Sequence, residues 1–222
     1  MYYHLALIPV AVVLIIIYAI ARKKNDLRKV AIVQPLGCFV SVVIAGLSVF
    51  APGANTGFTV WITAGMVLCL IGDINNINMD DDKTVIRGLV IFVFGYLTYG
   101  VGMAVYNGFH KPDVFTAIVF LCVYSGFLAI VWKGLGDFKI PVMIYALNMQ
   151  FMVWRAFSTF FGDTFSTTQA ALLSAGMLVI MIGDFEFGIY RFRKPIPMHL
   201  GPYCYLGGQL LIAVSLSCGA FP

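Results

Sequence analysis

The chain is a succession of long apolar runs separated by short polar ones. Eight runs, near 3–21, 30–50, 59–79, 84–107, 113–132, 140–161, 169–190 and 200–220, approach the roughly 20 residues that carry a helix across a bilayer. Their apolar residues are continuous and do not alternate at every second position. The runs therefore predict helices, not the strands of a barrel. The longest connections are about ten residues, which leaves no room for a soluble domain. The chain reads as a single membrane domain, residues 1–222, and any active site must be built inside the helix bundle.

Composition agrees. Hydrophobic residues make up 61% of the chain and charged residues only 11%, against roughly 25% charge in soluble domains. An ordinary cytosolic enzyme is excluded, and so is a disordered chain, which needs low hydrophobicity and high charge. The first run has no basic residue ahead of it and ends in Arg22, Lys23 and Lys24, the pattern of an anchor and not of a cleaved signal.

Charge placement sets an expected topology. Of the 14 Lys and Arg residues, 12 lie in the connections after runs 1, 3, 5 and 7 or at the start of run 4. Only Lys111 lies in an even-numbered connection, and Arg155 lies inside run 6. By the positive-inside rule the odd connections are cytoplasmic and both termini external. The net charge of +4 is thus a topology signal and calls for no acidic partner. The fold class expected is an all-α integral membrane protein with eight transmembrane helices. It would be a multi-pass protein of a bacterial cell membrane or an endoplasmic reticulum. Cys38, Cys69, Cys122, Cys204 and Cys218 form no CxxC pair and read as reduced, buried packing residues.

Two stretches match internally. Thr63–Asp73 reads TAGMVLCLIGD and Ser174–Asp184 reads SAGMLVIMIGD, with six of eleven positions identical at an offset of 111. The offset is half the chain, so each half, roughly 1–110 and 111–222, would hold four spans. Two four-span pseudo-repeats in the same orientation are expected to be related by a twofold axis along the membrane normal.

The repeat carries the candidate chemistry. Asp73 and Asp184 each lie seven residues before a polar boundary, on the order of 10 Å inside the membrane. An ionised group in hydrocarbon costs about 2.5–3.5 kcal/mol on insertion scales, so intramembrane carboxylates are functional candidates by default. Two that approach each other separate into one acid and one base, the arrangement used in acid–base hydrolysis. The alternative is that each only hydrogen-bonds within the bundle. Asn75 and Asn76 follow Asp73 and are candidates for a polar headgroup. Gln34, Tyr96, Tyr99, Tyr145, Asn148, Tyr205 and Gln209 fall roughly 5–22 Å in from the same face and could line one polar cavity. Glu186 is expected to reach the interface or pair with Arg191, about 200° round the helix from Asp184. Asp80, Asp81 and Asp82 read as a solvated turn capping span 4. Arg155 is expected to snorkel outward or pair with Asp163.

No His/Cys/Asp grouping has metal-ligand spacing, and GxSxG, P-loop and GxGxxG motifs are absent. No metal and no organic cofactor are expected. No basic patch interleaves with exposed aromatics, so nucleic acid is not an expected partner.

The pattern resembles the YhhN-like lysoplasmalogenases, small eight-span membrane enzymes. The similar elements are Pro35-Leu36, Gly72-Asp73, and Gly88, Phe92, Gly95, Leu97 and Tyr99 in span 4. Pro141-Val142, Tyr145, Met149 or Met152 and Ala156 follow in span 6, then Gly183-Asp184, Phe192, and Tyr203, Tyr205 and Gln209. Gln34, Tyr96 and Gly183 stand where the family pattern has Lys, His and Ser. The resemblance implies hydrolysis of the vinyl ether bond of lysoplasmalogens, lysoplasmenyl-ethanolamine or -choline, to a fatty aldehyde and a glycerophospho-base. Its partners would be that lysophospholipid and the surrounding membrane lipids. A proton- or cation-coupled transporter using the same two aspartates is the rival from another class.

Overall fold

The structure, a computed structural model, describes residues 2–77, 81–193 and 200–219. Asn78, Asp80, Lys194 and His199 lie outside the described residues. Among the described residues all regular structure is helical. A short 3-10 turn, Tyr3–Leu7, leads into α1 (Ile8–Lys23), followed by α2 (Leu27–Leu47), α3 (Thr56–Asn75), α4 (Asp82–Asn107), α5 (Asp113–Val131), α6 (Lys139–Ser158), α7 (Thr167–Arg193) and α8 (Gly201–Ser215). Among the described residues four helices are capped at the start by the side chain of the residue just before them, one of them α7, where Ser166 Oγ accepts from the Gln169 N–H; the other three are acidic or amide caps. Asp26, Asn55 and Asp81 accept from the backbone N–H groups of Lys29, Phe58 and Thr84, which satisfies donors that a helix leaves open at its first turn.

Six stretches are long and apolar enough to cross a membrane: Tyr3–Lys23, Leu27–Phe50, Thr56–Asn75, Asp82–Asn107, Asp113–Gly134 and Thr167–Arg193. Two of the eight expected spans, α6 and α8, do not meet that measure. Lys139, Asn148, Gln150 and Arg155 dilute the apolar character of α6, and α8 has only 15 residues. Large apolar side chains cover the outer faces of the helices, among them Ile16, Phe94, Val105, Phe115 and Ile118. So extensive an exposed apolar surface is foreign to a soluble monomer.

The helices run alternately up and down. At one end, which carries the basic residues, Arg22 donates to the Ile77 carbonyl, Arg191 pairs with Asp82, and Phe138 packs on Phe192. These contacts join the α1–α2, α3–α4 and α5–α6 connections to the end of α7. At the opposite end, His4 Nε2 lies 2.7 Å from Ser217 Oγ, which in turn lies 2.8 Å from Ser48 Oγ. That knot ties the N-terminal turn, the end of α2 and the end of α8 together.

Two crossings set the spacing of the bundle. A Cβ on Gly65 would stand 3.1 Å from the Gly95 carbonyl oxygen, and one on Gly95 3.2 Å from that of Gly65. The corresponding values for Gly176 and Gly208 are 2.8 and 2.5 Å. At each crossing two backbones touch where any side chain would hold them apart. Gly65 and Gly176 are 111 residues apart, so α3 meets α4 as α7 meets α8. Asp73 and Asp184 each lie eight residues beyond such a crossing, both towards the basic end.

Candidate active site

Asp73 is fully buried. Its Oδ1 accepts a 2.7 Å hydrogen bond from the Gln34 amide of α2, and its Oδ2 accepts a 3.0 Å bond from the Tyr205 hydroxyl of α8. Gln34 is itself held: Arg22 donates to its Oε1 at 2.9 Å, while also donating to Tyr18 Oη and the Ile77 carbonyl. The guanidinium therefore turns the amide so that its NH2 faces the carboxylate. Positive charge reaches Asp73 through one neutral side chain, without a direct ion pair.

Asp184 is half-buried. Its Oδ2 accepts from two phenols, Tyr145 of α6 at 2.6 Å and Tyr96 of α4 at 2.9 Å. The two rings lean on each other, with centroids 5.7 Å apart. Hydrogen bonds to an ionised carboxylate are stronger than neutral ones, and here they stand in for the water the group lost on burial. No salt bridge holds either aspartate among the described residues.

Both carboxylates line one cleft between α1, α2, α3, α4, α6, α7 and α8. Gln34, Asn76, Tyr96, Tyr145 and Tyr205 share that wall, with Val85, Leu89, Phe92 and Phe187 supplying apolar surface. The Phe92 ring meets the Tyr205 ring edge-on at 5.8 Å. Among the described residues Asn76 Oδ1 is buried there without a hydrogen-bond partner, an acceptor open to a hydroxyl or amine.

Four of the expected lining residues are elsewhere. Asn75 is exposed and folds its amide back onto the Ile71 carbonyl, because two residues on from Asp73 lies nearly the opposite side of the helix. Asn148 donates to the Val93 carbonyl and lines a separate apolar groove between α4, α5 and α6. Tyr99 donates to Gln209 Oε1 at 2.8 Å, which joins α4 to α8 behind the cleft. Tyr18 and Arg22 are the members that sequence reasoning missed. Arg22 was absorbed by the basic cluster that marks topology, though its place one turn after a tyrosine in an apolar helix was visible.

Three further expectations change. Arg155 is completely buried and pairs with Asp113 at 3.0 Å, not with Asp163, because the α4–α5 connection folds over it and the Gly108 carbonyl also accepts from it. Glu186 accepts from the backbone N–H groups of Leu200 and Gly201 at the start of α8, while Arg191 pairs with Asp82. Cys122 is exposed on α5, whereas Cys38 and Cys69 are buried. Among the described residues, no three His, Cys, Asp or Glu side chains gather as a metal-ligand set.

The fold and the cleft define a multi-helix membrane protein whose polar side chains gather around two carboxylates on α3 and α7. Most of the chain, residues 33–216, matches the YhhN family. The protein belongs to that family, the lysoplasmalogenase family. The matched region holds both aspartates, Gln34, Asn76 and the tyrosines around them, and leaves Tyr18 and Arg22 ahead of it. Comparison with curated proteins and with solved structures finds no match.

Proposed function

We propose that the protein is a membrane hydrolase that cleaves the vinyl ether bond of lysoplasmalogens, with Asp73 and Asp184 as its acid–base pair. The observation that carries this reading is that the two carboxylates line one cleft that has both polar side chains and an apolar wall of Val85, Leu89, Phe92 and Phe187. A proton delivered to the double-bond carbon that bears the alkyl chain yields an oxocarbenium ion. Water adds to the adjacent carbon and returns a proton, and the hemiacetal collapses to a fatty aldehyde and a glycerophospho-base. One carboxyl group supplies the proton. The other, ionised, stabilises the cation and takes the proton from water, the division of labour that paired carboxylates adopt in glycoside hydrolysis. The four donors that Gln34, Tyr96, Tyr145 and Tyr205 supply orient the pair, and Arg22 orients Gln34. Asn76 Oδ1 suits the free glycerol hydroxyl that distinguishes a lyso-lipid.

Such a substrate enters from the bilayer. Eight crossings, with α6 and α8 as inner spans that bring Tyr145 and Tyr205 to the cleft, suit that route. In that arrangement the basic end is cytoplasmic, both chain ends are external, and the halves 1–110 and 111–222 act as pseudo-repeats.

The test is aldehyde release from lysoplasmenyl-ethanolamine by the purified protein in nanodiscs. Asp73→Asn and Asp184→Asn are each expected to lower turnover by about 10²–10⁴-fold. Full turnover in both variants refutes the acid–base pair. Proton or cation flux in liposomes that depends on the aspartates, with no product formed, reassigns the cleft to transport.

A further inference from the structure

Of the two carboxylates on the cleft, one is open to it and one is not. Asp73 has no accessible surface. The Gln34 amide covers its Oδ1 at 2.7 Å and the Tyr205 hydroxyl covers its Oδ2 at 3.0 Å. Asp184 is half-buried, and both of its phenol donors fall on Oδ2. Among the described residues no donor reaches Asp184 Oδ1. A reacting carbon can therefore meet Asp184 directly, whereas Asp73 is screened by its own donors. One of those donors, Tyr205, borders the cleft itself.

We propose that Tyr205 is a catalytic residue, the relay through which Asp73 exchanges protons with the reacting atoms. The inference rests on the proposed function and divides its steps between the two carboxyl groups. Asp184 gives the proton on Oδ1 to the double-bond carbon. Asp73, with a donor on each oxygen and the Arg22 guanidinium behind one of them, suits the ionised role. Water then bonds to the oxocarbenium carbon. Its proton passes to the Tyr205 oxygen as the Tyr205 proton moves along its existing hydrogen bond to Asp73 Oδ2. Moving together, the two transfers leave the phenol neutral. In the collapse that follows, the hemiacetal hydroxyl returns its proton to Asp184, and Asp73, through Tyr205, protonates the departing glycerol oxygen. The carbon–oxygen bond to glycerol breaks, the aldehyde carbonyl forms, and both carboxyl groups regain their starting states.

Packing holds the relay in place. The Tyr205 ring meets Phe92 edge-on at 5.8 Å. On α8 it stands just under one turn before Gly208, where the α7 and α8 backbones touch. Tyr96 and Tyr145 have no such part, because the carboxylate they serve is itself open.

The experiment follows vinyl ether loss and aldehyde release separately, with lysoplasmenyl-ethanolamine in nanodiscs, for wild type, Tyr205→Phe, Asp73→Asn and the double variant. Rates are taken per folded molecule. Tyr205→Phe is expected to lower kcat by about 10²-fold or more with KM little changed. The double variant should be no slower than Asp73→Asn, as for groups that act as a unit. Because Asp184 still protonates the carbon, vinyl ether loss in Tyr205→Phe should outrun aldehyde release by up to one equivalent per protein. A Tyr205→Phe rate within a few-fold of wild type, or losses that multiply in the double variant, overturn the relay and leave the hydrolase standing. Where Tyr205→Phe fails to fold, Tyr205→His takes its place: an imidazole also accepts and donates, so it should turn over faster than Asp73→Asn, and a rate no higher overturns the relay. Wild type that releases no aldehyde refutes the hydrolase and the relay with it.

Discussion

Two kinds of buried carboxylate stand in this bundle, and they are held in opposite ways. Asp113 meets a full opposite charge: Arg155 reaches it at 3.0 Å, and the backbone N–H of His110 donates to it as well. The pair stands apart from the cleft of the other two carboxylates, and the Arg155 guanidinium lies against the Phe109 and Trp154 rings at 4.4 and 5.2 Å. Asp73 and Asp184 meet only neutral donors, amide and phenol, and both face a cleft. A carboxylate neutralised by a guanidinium is fixed in charge and serves the fold. One held by neutral donors beside a cavity keeps a proton within reach of either state and suits chemistry.

The contrast breaks most decisively on turnover. Asp73→Asn and Asp184→Asn should abolish nearly all aldehyde release while leaving the unfolding temperature little changed, since Asn keeps the size and polarity of the side chain and neither change breaks an ion pair. Arg155→Met should do the reverse. Stranding the Asp113 charge is expected to cost about 3–5 kcal/mol of stability, with turnover per folded molecule preserved. Denaturation in detergent and the rate on the soluble fraction separate the two effects. If Arg155→Met lowered the rate and left stability intact, the division between structural and chemical carboxylates would fail.

Arg22→Gln sharpens the comparison. It leaves Gln34 in place but removes the donor that orients it. A hydrogen bond from a charged group contributes about 1.5–3 kcal/mol, so kcat should fall by about tenfold or more with KM little changed. A change confined to KM would instead assign Arg22 to substrate binding.

The smallest effect concerns Asp81, at the solvent-facing start of α4. Hydrogen bonds from the Thr84 hydroxyl and N–H hold its carboxyl below the usual carboxylate range. A lowered value means that the cap contributes fully above the ordinary carboxylate pKa. The contribution is then lost as the pH falls through the folded value, below about pH 4. Asp81→Asn, which keeps a capping oxygen without the titration, should flatten the acid limb of the stability curve and leave turnover unchanged.

Much of this was legible in the sequence because burial and depth follow from linear position. The apolar runs mark the helices, the basic residues gather in alternate connections and so at one end, and the offset of 111 between Asp73 and Asp184 places both at one level. Rotation about each helix axis was less legible. Asn75, Asn148, Tyr99 and Gln209 have suitable depths but face other neighbours, and neighbours are set by packing. The Arg155–Asp113 pair was hidden because Asp113 opens α5, where an acid looks like an ordinary first-turn residue. Arg22 was hidden by its company, since Lys23 and Lys24 beside it are exposed and only it turns inward.

The convergence of Tyr96 and Tyr145 on one oxygen of Asp184 has a spectroscopic consequence. With both phenols loading the same side, the two carbon–oxygen bonds of that carboxylate become unequal. In its ionised form its symmetric and antisymmetric infrared stretches should spread apart, whereas those of ionised Asp73, loaded on both oxygens, should lie closer together. Isotope-edited difference spectra could then follow the two residues separately through a single turnover.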